Sequence, residues 1–405
     1  MRSRIAAAPW SCLAAGVLVC LCLLRSQVEG QVTDLRAIEL ARWSLVEDLR
    51  IGSAAGHADA FSRPSIGAIS GDGSLVYVVD RDSRSPVIKV FDTSGRFVRE
   101  IGSPGEGPGE YRSISAFGLR SDTIWISDAG TGRVTFYRPD GTVIESFGFG
   151  YDEAGVVTRV PVEVLGSDRF LVVSPPGPDL GRTGVGKVRF RQSVLLTDRQ
   201  AAVLDTVVSY DVDYPVIVTR PGGGAIFRYN PAVVETPRVS YSSTSEVVRE
   251  VHRPAPQSAS VGQFRILIRR PRGDTLMQRT FLFRPVPVPR TVKDSVMAAA
   301  SRSLRNAPVD LAAVALRYIE LPDFQPAVSR GPISTENGDY WIEREAFPTN
   351  GREYLVLDRG LEPLATIQIP SRSGRLTGPI TQTHVWFVEL DDLDVPFLVR
   401  YRIVR

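Results

Sequence analysis

Two aspartates stand at equivalent ends of two similar β-forming runs and are the first candidates for chemistry. Asp80 closes the run 73–80, and Asp128 closes the run 121–128. Carboxylates that converge from neighbouring strand ends can hold Ca²⁺, which prefers oxygen ligands. An aspartate after a strand also accepts backbone N–H bonds in a turn, and so recurs for structural reasons. Repetition favours the turn role, but Asp80 and Asp128 remain the ligand or metal candidates.

Other motifs that might carry chemistry fail on residue type or context. The segment 181–188 approaches a phosphate-binding loop, but Val188 replaces the Ser or Thr that binds Mg²⁺, and the following residues alternate as a strand. His57, His252 and His384 are far apart in the sequence, and no G-x-S-x-G elbow accompanies them. We therefore predict no catalytic residue, no metal ligand set and no cofactor, with Ca²⁺ left as a possibility.

Repeats explain why the aspartates recur. Besides 73–80 and 121–128, the segments 90–97 and 136–143 align, each with a turn glycine at the same place (Gly95 and Gly141). The runs alternate with the period of half-buried strands, so each unit has the size of one propeller blade. Weaker copies follow at 160–208 and 225–283, a clear copy at 337–360 repeats the layout of the first two, and a short one follows at 383–404. The sequence predicts an all-β fold, a six-bladed β-propeller formed by a single domain over residues 31–405.

Two further elements belong to this prediction. The last unit lacks one strand, and Ala41–Ile51 alternates like a strand, so we expect this N-terminal strand to close the ring and remove a free sheet edge. Residues 291–306 break the β pattern with apolar residues at helical spacing and a capping-box arrangement at 291–294. We expect a short helical insertion there, with a second helical turn at 309–317, acting as packing or as a lid.

The stretch I-G-S-P-G-E-G-P-G-E-Y at 101–111 raises a choice between a phosphate cradle and a structural connection. No helix follows the glycines, Glu106 and Glu110 would repel an anion, and two prolines each remove an N–H donor. We therefore predict a joint between two blades, with Tyr111 packed between them and these glycines allowing the sharp turns: Gly105, Gly107 and Gly109.

These features together resemble a known family. The stretches 90–96 and 101–111, with the strands that contain Trp125 and Trp341, resemble the bacterial six-bladed β-propeller proteins related to NHL repeats. The resemblance is good over 60–150, fair over 316–405 and thin over 160–290. It implies a fold, because that family includes binding modules and many exported members without an assigned activity.

The N-terminal segment and the cysteine content indicate where the protein is located. Basic residues, an apolar stretch and small residues at 28 and 30 follow the pattern of a secretory signal peptide over 1–30. Retention of this leader as a membrane anchor is the alternative. All three cysteines, Cys12, Cys20 and Cys22, lie in the leader, so the mature chain has no disulfide or thiolate chemistry. The formal net charge of +3 implies neither an acidic nor a basic partner.

Function is therefore expected from the fold and the predicted export. The densest basic group, formed by Arg265, Arg269, Arg270 and Arg272, alternates with apolar residues as the solvent face of a strand, which argues against nucleic acid. We expect a periplasmic or secreted, monomeric, non-catalytic binding or scaffold protein that presents a loop face or the channel to a protein, peptide or glycan. The alternatives are a Ca²⁺-dependent hydrolase or lactonase with acidic channel residues and an extracytoplasmic sensor. No stable membrane span remains after signal cleavage in any of them.

Overall fold

A computed structural model describes residues 30–405, apart from short gaps at 54–56, 82–85, 151–158, 167, 175–184, 220–224, 230–237, 243–246, 255, 271–273, 306–308, 320, 326, 329–330, 345–351 and 371–372. The predicted leader and its cleavage site therefore lie outside the described residues, except for Gly30. The chain described here begins with two strands, β1 (Gln31–Asp34) and β2 (Ala41–Ile51).

Blades 1 and 2 are regular four-stranded antiparallel sheets. Their second strands, β4 and β10, are rich in Val, Ile and aromatic residues and buried on both faces, while the outer strands alternate between buried or half-buried residues and exposed ones. Blade 1 comprises β3 (Pro64–Ile69), β4 (Leu75–Asp80), β5 (Val87–Asp92) and β6 (Phe97–Ile101). After a small parallel pair, β7 (Ser103–Pro104) and β8 (Glu110–Tyr111), blade 2 comprises β9 (Ile114–Arg120), β10 (Thr123–Asp128), β11 (Arg133–Tyr137) and β12 (Val143–Gly148).

Blades 3 and 4 are larger and less regular. Blade 3 comprises β13 (Pro161–Leu165), β14 (Arg169–Val173), β15 (Val185–Thr197), β16 (Val203–Thr219) and β17 (Ala225–Tyr229). Its two longest strands form a hairpin that extends past β14. Blade 4 comprises β18 (Arg238–Ser242), β19 (Val247–His252), β20 (Gly262–Arg269) and β21 (Thr275–Phe283).

Blades 5 and 6 complete the ring. Blade 5 comprises β22 (Ile333–Ser334), β23 (Tyr340–Arg344), β24 (Glu353–Leu357) and β25 (Pro363–Gln368). Blade 6 comprises β26 (Ser373–Leu376), β27 (His384–Leu390) and β28 (Pro396–Val404). The described strands thus form six blades, and the predicted all-β propeller fold is confirmed.

The N-terminal segment forms strand pairs with three consecutive blades. Strand β2 pairs antiparallel with β28 over Ser44 to Ile51 and becomes the outer strand of blade 6, so the predicted ring closure by residues 41–51 is confirmed. The first three residues of β2 pair in parallel with β25 of blade 5. Strand β1, which the sequence analysis did not predict, pairs in parallel with β21 of blade 4. The closing segment therefore begins two blades earlier than expected.

A charged cluster fixes the closing strand to blade 6. Asp48 of β2 lies 2.9 Å from Nε2 of His384 and accepts a hydrogen bond of 2.9 Å from Nε of Arg400. All three side chains are about a quarter exposed. The cluster ties β2 to two strands of the blade that it completes.

Apolar clusters fill the junctions between neighbouring blades, and in the described residues one is found at each of the six junctions. Trp125, Trp341 and Trp386 are at most 2% exposed and belong to three different junctions. Burial of large aromatic side chains is a strongly favourable term in folding, so these tryptophans hold blades together. They are not positioned to form an exposed sugar-binding platform.

The helical insertion lies between blades 4 and 5 and is confirmed. Helix α1 spans Arg290–Ser303 and helix α2 spans Val309–Arg317. The predicted capping box at 291–294 is wrong, because the N-cap is Pro289, two residues before Thr291, and no side-chain cap bond is formed. Helix α2 contacts the long hairpin β15–β16 of blade 3, so the insertion reaches across blade 4.

Candidate functional site

A cavity of about 520 Å³ occupies one end of the central channel. Its wall is formed by residues 67–71 of blade 1, 117–119 of blade 2, Glu163 of blade 3, residues 334–336 of blade 5 and Pro379 of blade 6. We call it the channel cavity. Inner strands of separate blades converge here because each blade places its first strand on the axis of the propeller. The volume lies within the usual range of small-ligand sites.

Asp80 and Asp128 lie toward the opposite end of the channel. Asp80 is paired with Pro64, the first residue of β3, and Asp128 is paired with Ile114, the first residue of β9. The channel cavity is instead lined by the residues that end these two inner strands and by the turns that follow. The structure therefore does not bring the two predicted candidates to this cavity.

Both aspartates are 4% exposed and accept hydrogen bonds from the backbone that enters their own blade. The N–H groups of Ser62 and Arg63 donate to Asp80 at 2.9 and 2.6 Å. Asp128 accepts bonds of 2.7 to 2.8 Å from the N–H groups of Arg112, Ser113 and Gly130 and from the hydroxyl of Thr131. These bonds give both residues a structural role, and their role as ligands stays a prediction.

The described residues offer no cluster of metal-binding side chains. Within the parts of the chain that the structure describes, no three His, Cys, Asp or Glu side chains group together as metal ligands would. Ca²⁺ requires six to eight oxygen ligands, so two aspartates that are each already bound to backbone N–H groups are a poor start for such a site.

An arginine lies behind the cavity wall. Arg249 of β19 is 1% exposed and donates from Nη2 to the hydroxyl of Ser334, which lines the cavity, at 2.7 Å. Burial lowers the pKa of Arg249 to about 10, while Tyr340 and the carboxylate of Glu163 oppose that shift. Arg249 therefore stays protonated at neutral pH and balances the charge of Glu163.

Glu336 gives the cavity its uncompensated negative charge. It lies exposed at the rim, where its backbone N–H donates to the carbonyl of Ile380 at 3.0 Å and so ties blade 5 to blade 6. Partial burial raises the pKa of the Glu336 carboxyl above its ordinary value. Among the described residues, none forms an ion pair or a side-chain hydrogen bond with this carboxylate. It is free to meet a ligand.

An aromatic ring forms the opposite part of the wall. Phe117 of blade 2 packs against the backbone of blade 1 at Gly67, where an added Cβ atom would lie 2.2 Å from Cδ1 of Phe117. Only glycine permits this approach. The ring also lies 6.3 Å, centroid to centroid, from Tyr77. Phe117 is thus fixed in the cavity wall by both blades.

The glycine-rich stretch lies at the junction of blades 1 and 2. Tyr111 is 1% exposed, and its hydroxyl donates to the carbonyl of Ile101 at 2.8 Å and accepts from the N–H of Ile88 at 3.2 Å. Burial is the main reason that the pKa of Tyr111 lies far above its ordinary value. Gly109 has φ of +78° and contacts blade 2.

The loop around these residues is organised by its own backbone. The N–H of Gly105 donates to the carbonyl of Tyr111 at 3.0 Å, and the N–H of Gly107 donates to the Glu110 carboxylate at 2.7 Å. That carboxylate already occupies the place where an anion would have to bind. The geometry therefore gives the loop no phosphate cradle.

Comparison with known proteins supports the fold. A family described as "6-bladed beta-propeller" matches residues 58–146, which cover blades 1 and 2. This match and the arrangement of strands identify the chain as a β-propeller protein and confirm the resemblance to six-bladed propellers. No curated protein matches the chain.

Solved structures agree at low sequence identity. The chain is similar to a putative exported protein from Bacteroides fragilis, with 13% identity, a TM-score of 0.50 and coverage of 92% of this chain and 99% of that one. A weaker likeness, with a TM-score of 0.41 and 12% identity, relates 90% of this chain to 99% of a PQQ-bound aldose sugar dehydrogenase from Streptomyces coelicolor. Regucalcin, a calcium-binding protein from Agrobacterium tumefaciens, has a TM-score of 0.36 and 10% identity, with coverage of 90% and 97%.

These likenesses concern the fold alone. The two enzyme and calcium-binding structures are too distant to carry an argument about chemistry, and the first is named only as exported. Of the helices in the described part of the chain, none is long and apolar enough to cross a membrane.

Sequence reasoning missed the residues that form the channel cavity. Gly67, Phe117 and Glu336 belong to three blades, and no motif joins them in the sequence. Their common signal is position, because each lies in or just after the innermost strand of its blade.

Proposed function

We propose that this is an exported, non-catalytic binding propeller that takes a ligand with hydroxyl or cationic groups, such as part of a glycan or a peptide, into the channel cavity. The observation that carries the proposal is the unpaired Glu336 carboxylate at the rim of a cavity of about 520 Å³ whose wall contains Phe117. A carboxylate that lacks a protein partner accepts hydrogen bonds from ligand hydroxyl or ammonium groups.

The character of the cavity wall supports this class of ligand. The ring of Phe117 is held by Gly67 and offers a rigid apolar surface to a sugar ring or an aliphatic side chain. Ser334, whose hydroxyl accepts the hydrogen bond from Arg249, adds a hydroxyl group to the wall. A few fixed polar groups beside an apolar surface are typical of small-ligand sites.

Export is supported by the signal-peptide pattern of residues 1–30 and by the likeness to a putative exported protein. The alternative function, a Ca²⁺-dependent hydrolase, relies on Asp80 and Asp128. No observation favours it, since both carboxylates are buried in backbone hydrogen bonds.

Isothermal titration calorimetry tests the proposal with three probes: maltohexaose, tetralysine and tetraglutamate. We expect saturable binding of maltohexaose or tetralysine, and none of tetraglutamate. Glu336→Gln should weaken tetralysine binding about tenfold, since the amide oxygen of Gln still accepts a hydrogen bond but the negative charge that attracts the ammonium group is lost. The matched control is Glu100→Gln, an exposed carboxylate on the outer strand β6, which should bind as the wild type does.

Two results would overturn the proposal. One is the absence of saturable binding by both maltohexaose and tetralysine. The other is binding that Glu336→Gln and Glu100→Gln weaken equally, because the effect would then come from net charge rather than from the channel cavity.

A further inference from the structure

A second cavity lies on blade 4, away from the channel cavity. Its volume is about 480 Å³, and its lining consists of His252, Pro254, Gln263, Phe264, Arg265 and Thr280. We call it the blade-4 pocket. None of these residues belongs to the channel cavity, so the two sites can be tested separately.

Strand register explains why these side chains meet. His252 of β19 is paired with Arg265 of β20, which is paired in turn with Thr280 of β21. Directly paired residues project to the same face, so the three side chains form a row across the blade. Gln263 lies two residues from Arg265 and shares that face. One face of blade 4 therefore presents an arginine, a hydroxyl and an amide together.

The histidine of this row is held by a buried acid. Nε2 of His252 lies 2.9 Å from Oε2 of Glu250, which is 1% exposed, and Nε of Arg269 donates to the other carboxylate oxygen. Burial would raise the pKa of Glu250, but the hydrogen bonds from His252 and Arg269 outweigh it and hold this pKa below its ordinary value. Arg269, which the sequence analysis placed on the solvent face of a strand, is partly exposed and pairs with this buried acid.

The remaining polar groups of the pocket are uncommitted. Among the described residues, none forms a hydrogen bond or ion pair with the side chains of Gln263, Arg265 or Thr280. Glu250 already forms an ion pair with Arg269, so one net positive charge remains on the two arginines and this acid. The pocket thus carries positive charge and hydrogen-bond donors with no acid exposed in its lining.

We propose that the blade-4 pocket binds a small oxyanion, a phosphate or carboxylate group, through the guanidinium of Arg265 with the hydroxyl of Thr280 and the amide of Gln263. The planar guanidinium of arginine matches both anions in two-point hydrogen bonding. His252, fixed by Glu250, forms the adjoining wall. This site goes beyond the proposed function, because it requires nothing from the channel cavity.

Calorimetric titration of the full chain with inorganic phosphate and, separately, with acetate at constant ionic strength tests the site. We expect one-to-one binding of at least one probe. The stronger of the two tells whether phosphate or carboxylate is the preferred group. Arg265→Gln should weaken that binding at least about tenfold, and Thr280→Val by a smaller factor.

Arg402→Gln is the matched control. Arg402 is also an exposed arginine paired across strands with a histidine, His384, but it lines no cavity among those described. It should bind both probes as the wild type does. Absence of saturable binding at millimolar phosphate and acetate would overturn the proposal, as would equal affinity in Arg265→Gln and the wild type. Should Arg265→Gln not fold, undiminished binding by Thr280→Val overturns it.

Discussion

Blade 4 differs from blades 1 and 2 at the last residue of the second strand. Blades 1 and 2 have Asp80 and Asp128 there, each bound to the backbone that enters the blade. Blade 4 has His252, which contacts Glu250 of its own strand and lines a pocket. The position closes a turn where the repeat is regular. Where the repeat departs from its pattern, the same position is available for a ligand site.

The largest expected loss of stability comes from substituting an aspartate that closes a turn in a regular blade. Asp128→Ala should lower the free energy of unfolding by about 4 kcal/mol, because three backbone N–H groups and the hydroxyl of Thr131 lose their acceptor. Asp80→Ala should cost about 2 kcal/mol, since only two N–H groups depend on it. Urea unfolding followed by tryptophan fluorescence measures both. Asp122→Ala, at an exposed turn of blade 2, is the control and should change little.

Glu250→Gln tests whether the ionised carboxylate of Glu250 stabilises the end of the second strand in blade 4. At neutral pH we expect a loss of roughly 2 kcal/mol, because Arg269 and His252 lose an ionised partner. The pKa of Glu250 is lowered in the folded protein, so its stabilisation is present above the unfolded pKa of about 4.5 and is lost as the pH falls below it.

The difference in stability between wild type and Glu250→Gln should therefore shrink when urea unfolding is repeated at successively lower pH below 4.5. A difference that stays constant or grows with acidification would contradict the charged role of Glu250.

Two glycines in the joint between blades 1 and 2 should differ in their effect on stability. Gly109→Ala should cost roughly 1 to 2 kcal/mol, because φ is +78° and the new Cβ atom would lie 2.7 Å from Cγ2 of Val143. Gly107→Ala should cost less. Its φ is not positive, and its Cβ atom would meet only the movable carboxylate of Glu110. Thermal unfolding of the two variants checks the order; equal losses would show that the joint does not depend on backbone conformation.

The smallest expected effect concerns Glu336. Its pKa is raised in the folded protein, so the charged carboxylate is slightly unfavourable once the pH exceeds its unfolded pKa of about 4.5. Glu336→Gln should therefore raise the melting temperature slightly at pH 7 and leave it unchanged well below pH 4.5. A clear loss of stability at pH 7 would give Glu336 a structural role instead of a binding one.

The fold could be predicted from the sequence because it depends on local patterns. Alternating strands, turn glycines and the extra strand-like segment Ala41–Ile51 are continuous in the sequence, and the propeller and its closure were predicted from them. Strand β1 was missed because four residues that pair with a distant blade leave no local pattern.

The sites depend on contacts between distant segments and could not be predicted in this way. The channel cavity gathers residues from five blades, and Arg265 becomes part of a pocket only through its pairing with His252 and Thr280. The repeated aspartates were visible because they repeat, and that repetition reflects their turn role.

The central claim is that the regular aspartates close turns and that ligands bind elsewhere. Thermal unfolding in the presence of millimolar Ca²⁺ tests it most directly, since a metal that binds only the folded protein must raise its melting temperature. We expect the melting temperature of the wild type to be the same with Ca²⁺ and with an equal ionic strength of NaCl. A saturable increase with Ca²⁺ that Asp128→Asn removes would contradict the claim and place a metal at the end of the channel where Asp80 and Asp128 lie.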